Sequence, residues 1–236
     1  MDHIREHRSV LAEAEKRLLI AIAGRLPRWI NSDHLTLLAL VAMIAAGAAF
    51  AAIQLTLWSA VAVAAALAVN WFGDSLDGTV ARVRNHQRPT YGYYVDHVVD
   101  LAGTAALIIG MGASGVMTPS IAVGVMAAYF LVSAESYLAT HSVGVFRMSF
   151  AGIGPTELRI LLAIGAFSVA VHPAAIIAGR QFHLLDVGGV CAIAGLAVAF
   201  IVSAVRNTRA LYVREPLPQT PKPAKSSIGR VVPSCL

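Results

Sequence analysis

Six stretches of this chain are long and apolar enough to cross a bilayer, and that leaves it few folds to adopt. A span needs roughly 20 mostly apolar residues. The candidates are 35–54, 57–80, 92–113, 120–142, 157–173 and 187–206. Inside a bilayer every backbone N–H and C=O must find a partner within the protein, so such spans fold as helices. The composition agrees: 57% of residues are hydrophobic and 13% charged, against about 25% charged in soluble domains. The expected fold is an all-α integral membrane bundle of six transmembrane helices, preceded by an N-terminal amphipathic interfacial helix. The expected organisation is 1–30 for that helix, 31–210 for the six-span domain and 211–236 for a disordered cytoplasmic tail rich in proline and lysine.

Residues 1–30 carry Arg5, Arg8, Lys16, Arg17, Arg25 and Arg28, with Leu11, Leu18, Leu19, Ile22 and Leu26 at helical spacing. A helix of this kind lies in the membrane interface or packs on the cytoplasmic ends of the bundle. Its dense charge and the short apolar run Leu18–Ala23 argue against a signal peptide. Lysine and arginine fix the orientation. Six precede the first span, three lie between spans two and three, two around the loop between spans four and five, and six follow the last span. The three opposite loops hold Arg180 alone. The termini are therefore expected to be cytoplasmic, in a multi-pass protein of a bacterial-type inner membrane. The net charge of +5 then belongs to loops facing anionic lipid. No basic patch is interleaved with aromatics, so a nucleic-acid partner is not expected. Cys191 and Cys235 suggest neither a disulfide framework nor a zinc site.

The chemistry concentrates in residues 70–104, where Asp74, Asp77, Asp96 and Asp100 gather in a chain that otherwise avoids charge. They form two pairs, three and four residues apart, so each pair shares one helix face. Carboxylates at the ends of membrane helices are costly without a cation and mark a functional site. An all-oxygen set suits a hard ion, Mg2+ or Mn2+, rather than zinc. Four carboxylates can hold two such ions, and a pair of ions can clamp a diphosphate. Gly78, Ala81 and Gly92 leave room for a phosphate or nucleotide, and Arg82 can contact phosphate. Taken singly, each of the small residues also suits close helix packing.

Asp74-x-x-Asp77-Gly78-x-x-Ala81-Arg82, then Gly92-x-x-x-Asp96-x-x-x-Asp100, resembles the complete motif of the CDP-alcohol phosphatidyltransferase family. The resemblance implies transfer of a substituted phosphate from a CDP-linked alcohol to an acceptor alcohol, with release of CMP, in phospholipid biosynthesis. It implies that Asp74, Asp77, Asp96 and Asp100 hold two divalent metals. It further implies that Asp74, Gly78, Ala81, Arg82 and Gly92 line the CDP site, that Asp100 is the general base, and that the protein forms a homodimer. Ser32 and Asp33 stand where many relatives have Pro-Asn before the first span. Phe150–Leu158 faintly resembles a segment of the aminoalcohol phosphotransferases, so the donor is CDP-diacylglycerol or a CDP-aminoalcohol.

The remaining polar residues of the spans are candidates for acceptor binding or support of the site: Asn70, Glu135, His141, Arg147 and Glu157, with Arg159 a further phosphate or headgroup contact. Each also has a structural reading, as a helix-contact hydrogen bond, an ion pair or a charge at a helix end. Two other classes compete. Intramembrane prenyltransferases also bind a diphosphate through aspartates and magnesium, but they lack the Gly-x-x-Ala-Arg continuation and usually have nine spans. A cation transporter would need carboxylates near the bilayer midplane or an internal repeat.

Overall fold

The computed structural model describes residues 4–6, 12–147 and 154–217, with the backbone alone for 4–6, 12–15 and 145–147. The expected tail from residue 218 onward lies outside the described residues, as do Cys235 and residues 150–153 of the Phe150–Leu158 segment.

A short strand β1 (Ile4–Glu6) precedes the helix α1 (Ala12–Arg25), which is shorter than the expected 1–30. The long helices follow: α2 (Ser32–Ala51), α3 (Leu57–Val83), α4 (Pro89–Ala113) and α5 (Pro119–Val143). Strand β2 (Val145–Arg147) pairs in parallel with β1. The helix α6 (Pro155–Val171) then leads into a hairpin of β3 (Ala174–Ile177) and β4 (Arg180–His183), and α7 (Leu184–Arg214) completes the chain. Among the described residues, α2, α3, α4, α5 and α7 are long and apolar enough to cross a membrane. At 17 residues, α6 is about 25 Å long, slightly under the roughly 30 Å hydrocarbon core.

Local chemistry sets the helix starts. Asn31 caps α2: its side-chain oxygen accepts from the His34 N–H at 3.0 Å, and its own N–H donates to His34 Nδ1 at 3.3 Å. Pro89, Pro119 and Pro155 each stand at the first position of a helix, where the missing N–H costs nothing. Between α3 and α4 the chain reverses through Asn85, whose φ of 56° is left-handed, a conformation asparagine adopts more readily than most residues.

Glycine allows α2 to sit against both neighbours. A Cβ on Gly73 would lie 2.6 Å from the Leu35 carbonyl oxygen, and one on Gly110 would strike the backbone of Gly47. The main core joins Phe50, Val63 and Leu67 to Leu107, Met111, Ala166 and Val169, so α6 runs beside α3. A second cluster packs Leu19 and Ala23 of α1 onto Leu35, Leu76 and Val80. Hence α1 lies on the end of the bundle where α3 stops and α4 begins. Large apolar side chains such as Val198 and Ile201 of α7 and Leu131 and Leu138 of α5 point outward, as lipid-facing residues do.

Candidate active site

Asp74 and Asp77 lie in the last turns of α3, Asp96 and Asp100 in the first turns of α4. The short α3–α4 turn brings these ends together. One carboxylate oxygen from each of Asp74, Asp96 and Asp100 lies within 4.8 Å of the others, all three side chains being partly buried. Three convergent hard oxygens fit a hard divalent cation and match no soft-metal set.

Asp77 is used differently. Its carboxylate accepts from Thr36 Oγ1 at 2.7 Å and from the Gly78 N–H. It remains within electrostatic range of Asp74 and Asp96. The fourth carboxylate is thus beside the trio but oriented by α2. Thr36, one turn into α2, is the residue of that segment which reaches the acidic site.

Arg159, from the start of α6, supplies the cation. Its Nη2 donates to Asp74 at 2.5 Å, and its Nε donates to Asn70 Oδ1 at 2.7 Å. The Asn70 amide in turn donates to the Ala39 carbonyl at 3.0 Å. The chain α2–Asn70–Arg159–Asp74 therefore orients a carboxylate from two sides, and Asn70 supports the site without joining the carboxylate cluster.

The small residues differ in surroundings. A Cβ on Gly92 would meet nothing within 4 Å, and one on Gly78 would meet only the flexible end of Arg82, at 3.3 Å. Arg82 is exposed and its Nη2 donates to Thr79 Oγ1 at 3.0 Å. Ala81 lines a cleft of about 430 Å³ between the start of α2 and the α3–α4 turn. Spaced four and seven residues from Asp77 and Asp74, Ala81 shares their helix face.

Other candidates fall away from this centre. Glu135 accepts from Asn207 Nδ2 of α7 at 2.6 Å, tying α5 to α7. His141 is exposed in the last turn of α5. Glu157 accepts from the Gly154 N–H at 3.0 Å and so caps α6. Arg147 belongs to β2, and its side chain lies outside the described residues.

The site also recruits residues the sequence reading passed over. Tyr129 shares hydrogen bonds with Thr104 and Ser133 and lies within electrostatic range of Asp100. The ring of His97 packs against those of Tyr93 and Tyr137, with centroids at 4.1 and 4.7 Å. Its Nδ1 is 3.4 Å from Asp96. Tyr129, Ser133 and Tyr137 recur every fourth residue, a polar stripe along an apolar span that was available as a signal.

By fold and site the chain is a polytopic helical membrane protein with a carboxylate cluster where two helix ends meet. Residues 29–203 match the CDP-alcohol phosphatidyltransferase family, and the chain belongs to that family of membrane enzymes. It is 32% identical over 164 residues to the archaetidylinositol phosphate synthase of Methanothermobacter thermautotrophicus, covering 67% of this chain and 76% of that protein. Its fold is similar to that of the phosphatidylinositol phosphate synthase PgsA1 of Mycobacterium tuberculosis, whose crystal structure has CDP-DAG bound. The TM-score there is 0.57 at 21% identity, over 86% of this chain and 98% of the other. Family membership removes the prenyltransferase and transporter alternatives.

Proposed function

We propose that this enzyme transfers the phospho-alcohol portion of a CDP-linked lipid to the hydroxyl of a phosphorylated polyol, with inositol phosphate the first acceptor to test. The observation that carries the reading is the Asp74–Asp96–Asp100 cluster on the helix face that continues to Ala81. The two similar proteins are named for inositol phosphate lipids, which favours that acceptor over an aminoalcohol pathway.

Asp74, Asp96 and Asp100 would hold Mg2+ or Mn2+, with Asp77 completing a second position. A bound cation neutralises the diphosphate and makes CMP a better leaving group. The donor's nucleotide end lies beside Gly78, Ala81, Arg82 and Gly92 and reaches the cleft through Ala81, the one of these four that lines it. Thr36 and Arg159 hold Asp77 and Asp74 in place. Asp100 is the general base. The acceptor's hydroxyl oxygen attacks the phosphorus bearing the lipid alcohol, the bond from that phosphorus to the bridging oxygen breaks, and CMP departs. The hydroxyl proton goes to Asp100. The lysine and arginine distribution supports a cytoplasmic active site, with both termini on that side.

The test is a CMP-release assay on purified protein in detergent. It uses Mg2+, CDP-diacylglycerol, and a panel of inositol phosphate, inositol, glycerol phosphate and, with CDP-choline, diacylglycerol. Release with inositol phosphate and formation of the corresponding lipid are expected. Release with another acceptor alone would reassign the substrate, and none with any pair would sink the reading.

A further inference from the structure

The cleft beside Ala81 has an outer wall with no regular secondary structure: the α1–α2 linker, residues 26–31. Such a segment leaves backbone carbonyls in need of donors. Arg84, at the C-terminal cap of α3, supplies them. Its Nη1 donates to the carbonyls of Ile30 at 2.5 Å and Arg28 at 3.5 Å, and its Nη2 to those of Leu26 at 2.8 Å and Pro27 at 3.1 Å. Four carbonyls on one guanidinium use the planar fork that distinguishes arginine from lysine. A second link closes the wall at the start of α2. Arg88 pairs with Asp33 and stands over the Tyr91 ring at 4.0 Å from its centroid. Arg84, Arg88, Asp33, Arg28 and Asn31 all line the cleft with Ala81. Neither arginine belongs to the aspartate motif. Arg84 joins the turn that carries the site to the linker, and Arg88 joins it to the first turn of α2, each more than fifty residues earlier.

We propose that Arg84 is a positioning residue for the donor: it holds the α1–α2 linker as the wall against which the nucleotide end docks, with Arg88–Asp33 as its outer latch. The inference rests on the reading of the cleft given under Proposed function. Its consequence is specific. Loosening the wall weakens donor capture and leaves the carboxylates, and therefore the chemical step, as they are.

The experiment measures KM for CDP-diacylglycerol and kcat at saturating acceptor, alongside equilibrium binding of CDP, in wild type, Arg84→Gln and Arg84→Lys. In Arg84→Gln the donor KM should rise about tenfold with kcat within about twofold, since several charge-assisted bonds are lost. Arg84→Lys should recover part of the loss, because an ammonium reaches fewer carbonyls. Should Arg84→Gln fail to fold, the exposed latch still decides. Asp33→Asn and Arg88→Gln should each raise donor KM about threefold, and the double variant no further than the larger single. A fall in kcat at unchanged KM, or variants that bind CDP as wild type does, would overturn the inference alone. Wild type that binds no CDP would overturn the cleft reading beneath it.

Discussion

Asp74 and Asp100 are two carboxylates of one cluster, and substitution separates their roles. In the proposed mechanism Asp100 takes the acceptor's proton, so Asp100→Asn should lower turnover by about 10²–10⁴-fold while CDP-lipid binding persists. Retained turnover would remove it from the base role. Asp74 carries the bond to Arg159, and Asp74→Asn should weaken Mn2+ and CDP binding together, as read by titration. Breaking the pair from the other side takes the guanidinium away from a mostly buried carboxylate. Arg159→Met should therefore cost about 3 kcal/mol of stability, seen as a lower melting temperature in detergent. Added Mg2+ should raise that melting temperature more in the variant than in wild type, because the cation takes over the missing positive charge. An equal rise in both would mean that the guanidinium and the metal do not share Asp74.

Among the elements, glycine divides into two uses that one substitution can tell apart. At Gly110 a side chain would collide with the Gly47 backbone where α2 meets α4, so Gly110→Ala should destabilise the bundle by about 1–3 kcal/mol. At Gly92 the same change meets open space. Gly92→Ala should leave the melting temperature within about a degree, since unencumbered surface changes are nearly neutral. It should still raise donor KM if the nucleotide lies there; unchanged KM would take Gly92 out of the donor site. The motif spacing alone could not make this distinction, because glycine reads the same in both settings. The helices themselves were legible, since charge is costly in lipid and apolar runs are long. Their partners were not. Thr36 with Asp77 and Arg159 with Asp74 are 41 and 85 residues apart, and no local pattern links them. The β3–β4 hairpin falls in the connection after the expected span 157–173, and strands of four residues each are too short to show a pattern. The last helix outran its expected 187–206 because Arg206, Arg209 and Arg214 leave the membrane without leaving the helix.

For the whole molecule, the count of crossings decides where the site lies, and it turns on α6. If α6 does not cross, five crossings place α1 and the end of α7 on opposite sides; if it does, both share one side. The contacts of α6 favour crossing. Its start holds Asp74 and Asn70 through Arg159. Its end buries Ala166 and Val169 in the core that contains Ala60 and Val63 from the beginning of α3. It therefore accompanies α3 from the acidic end toward the opposite face, and local thinning of the bilayer would absorb the few ångströms it lacks. The hairpin 174–183 should then lie on the side opposite the α3–α4 turn. Single cysteines in a Cys191→Ser, Cys235→Ser background test this with a membrane-impermeant maleimide on intact cells. The variant Gln181→Cys in β4 should label at once. Gln87→Cys in the α3–α4 turn should label only after permeabilisation, as a cytoplasmic active site requires. Labelling of both only after permeabilisation would put α6 on the surface of the membrane and undo the six-span topology.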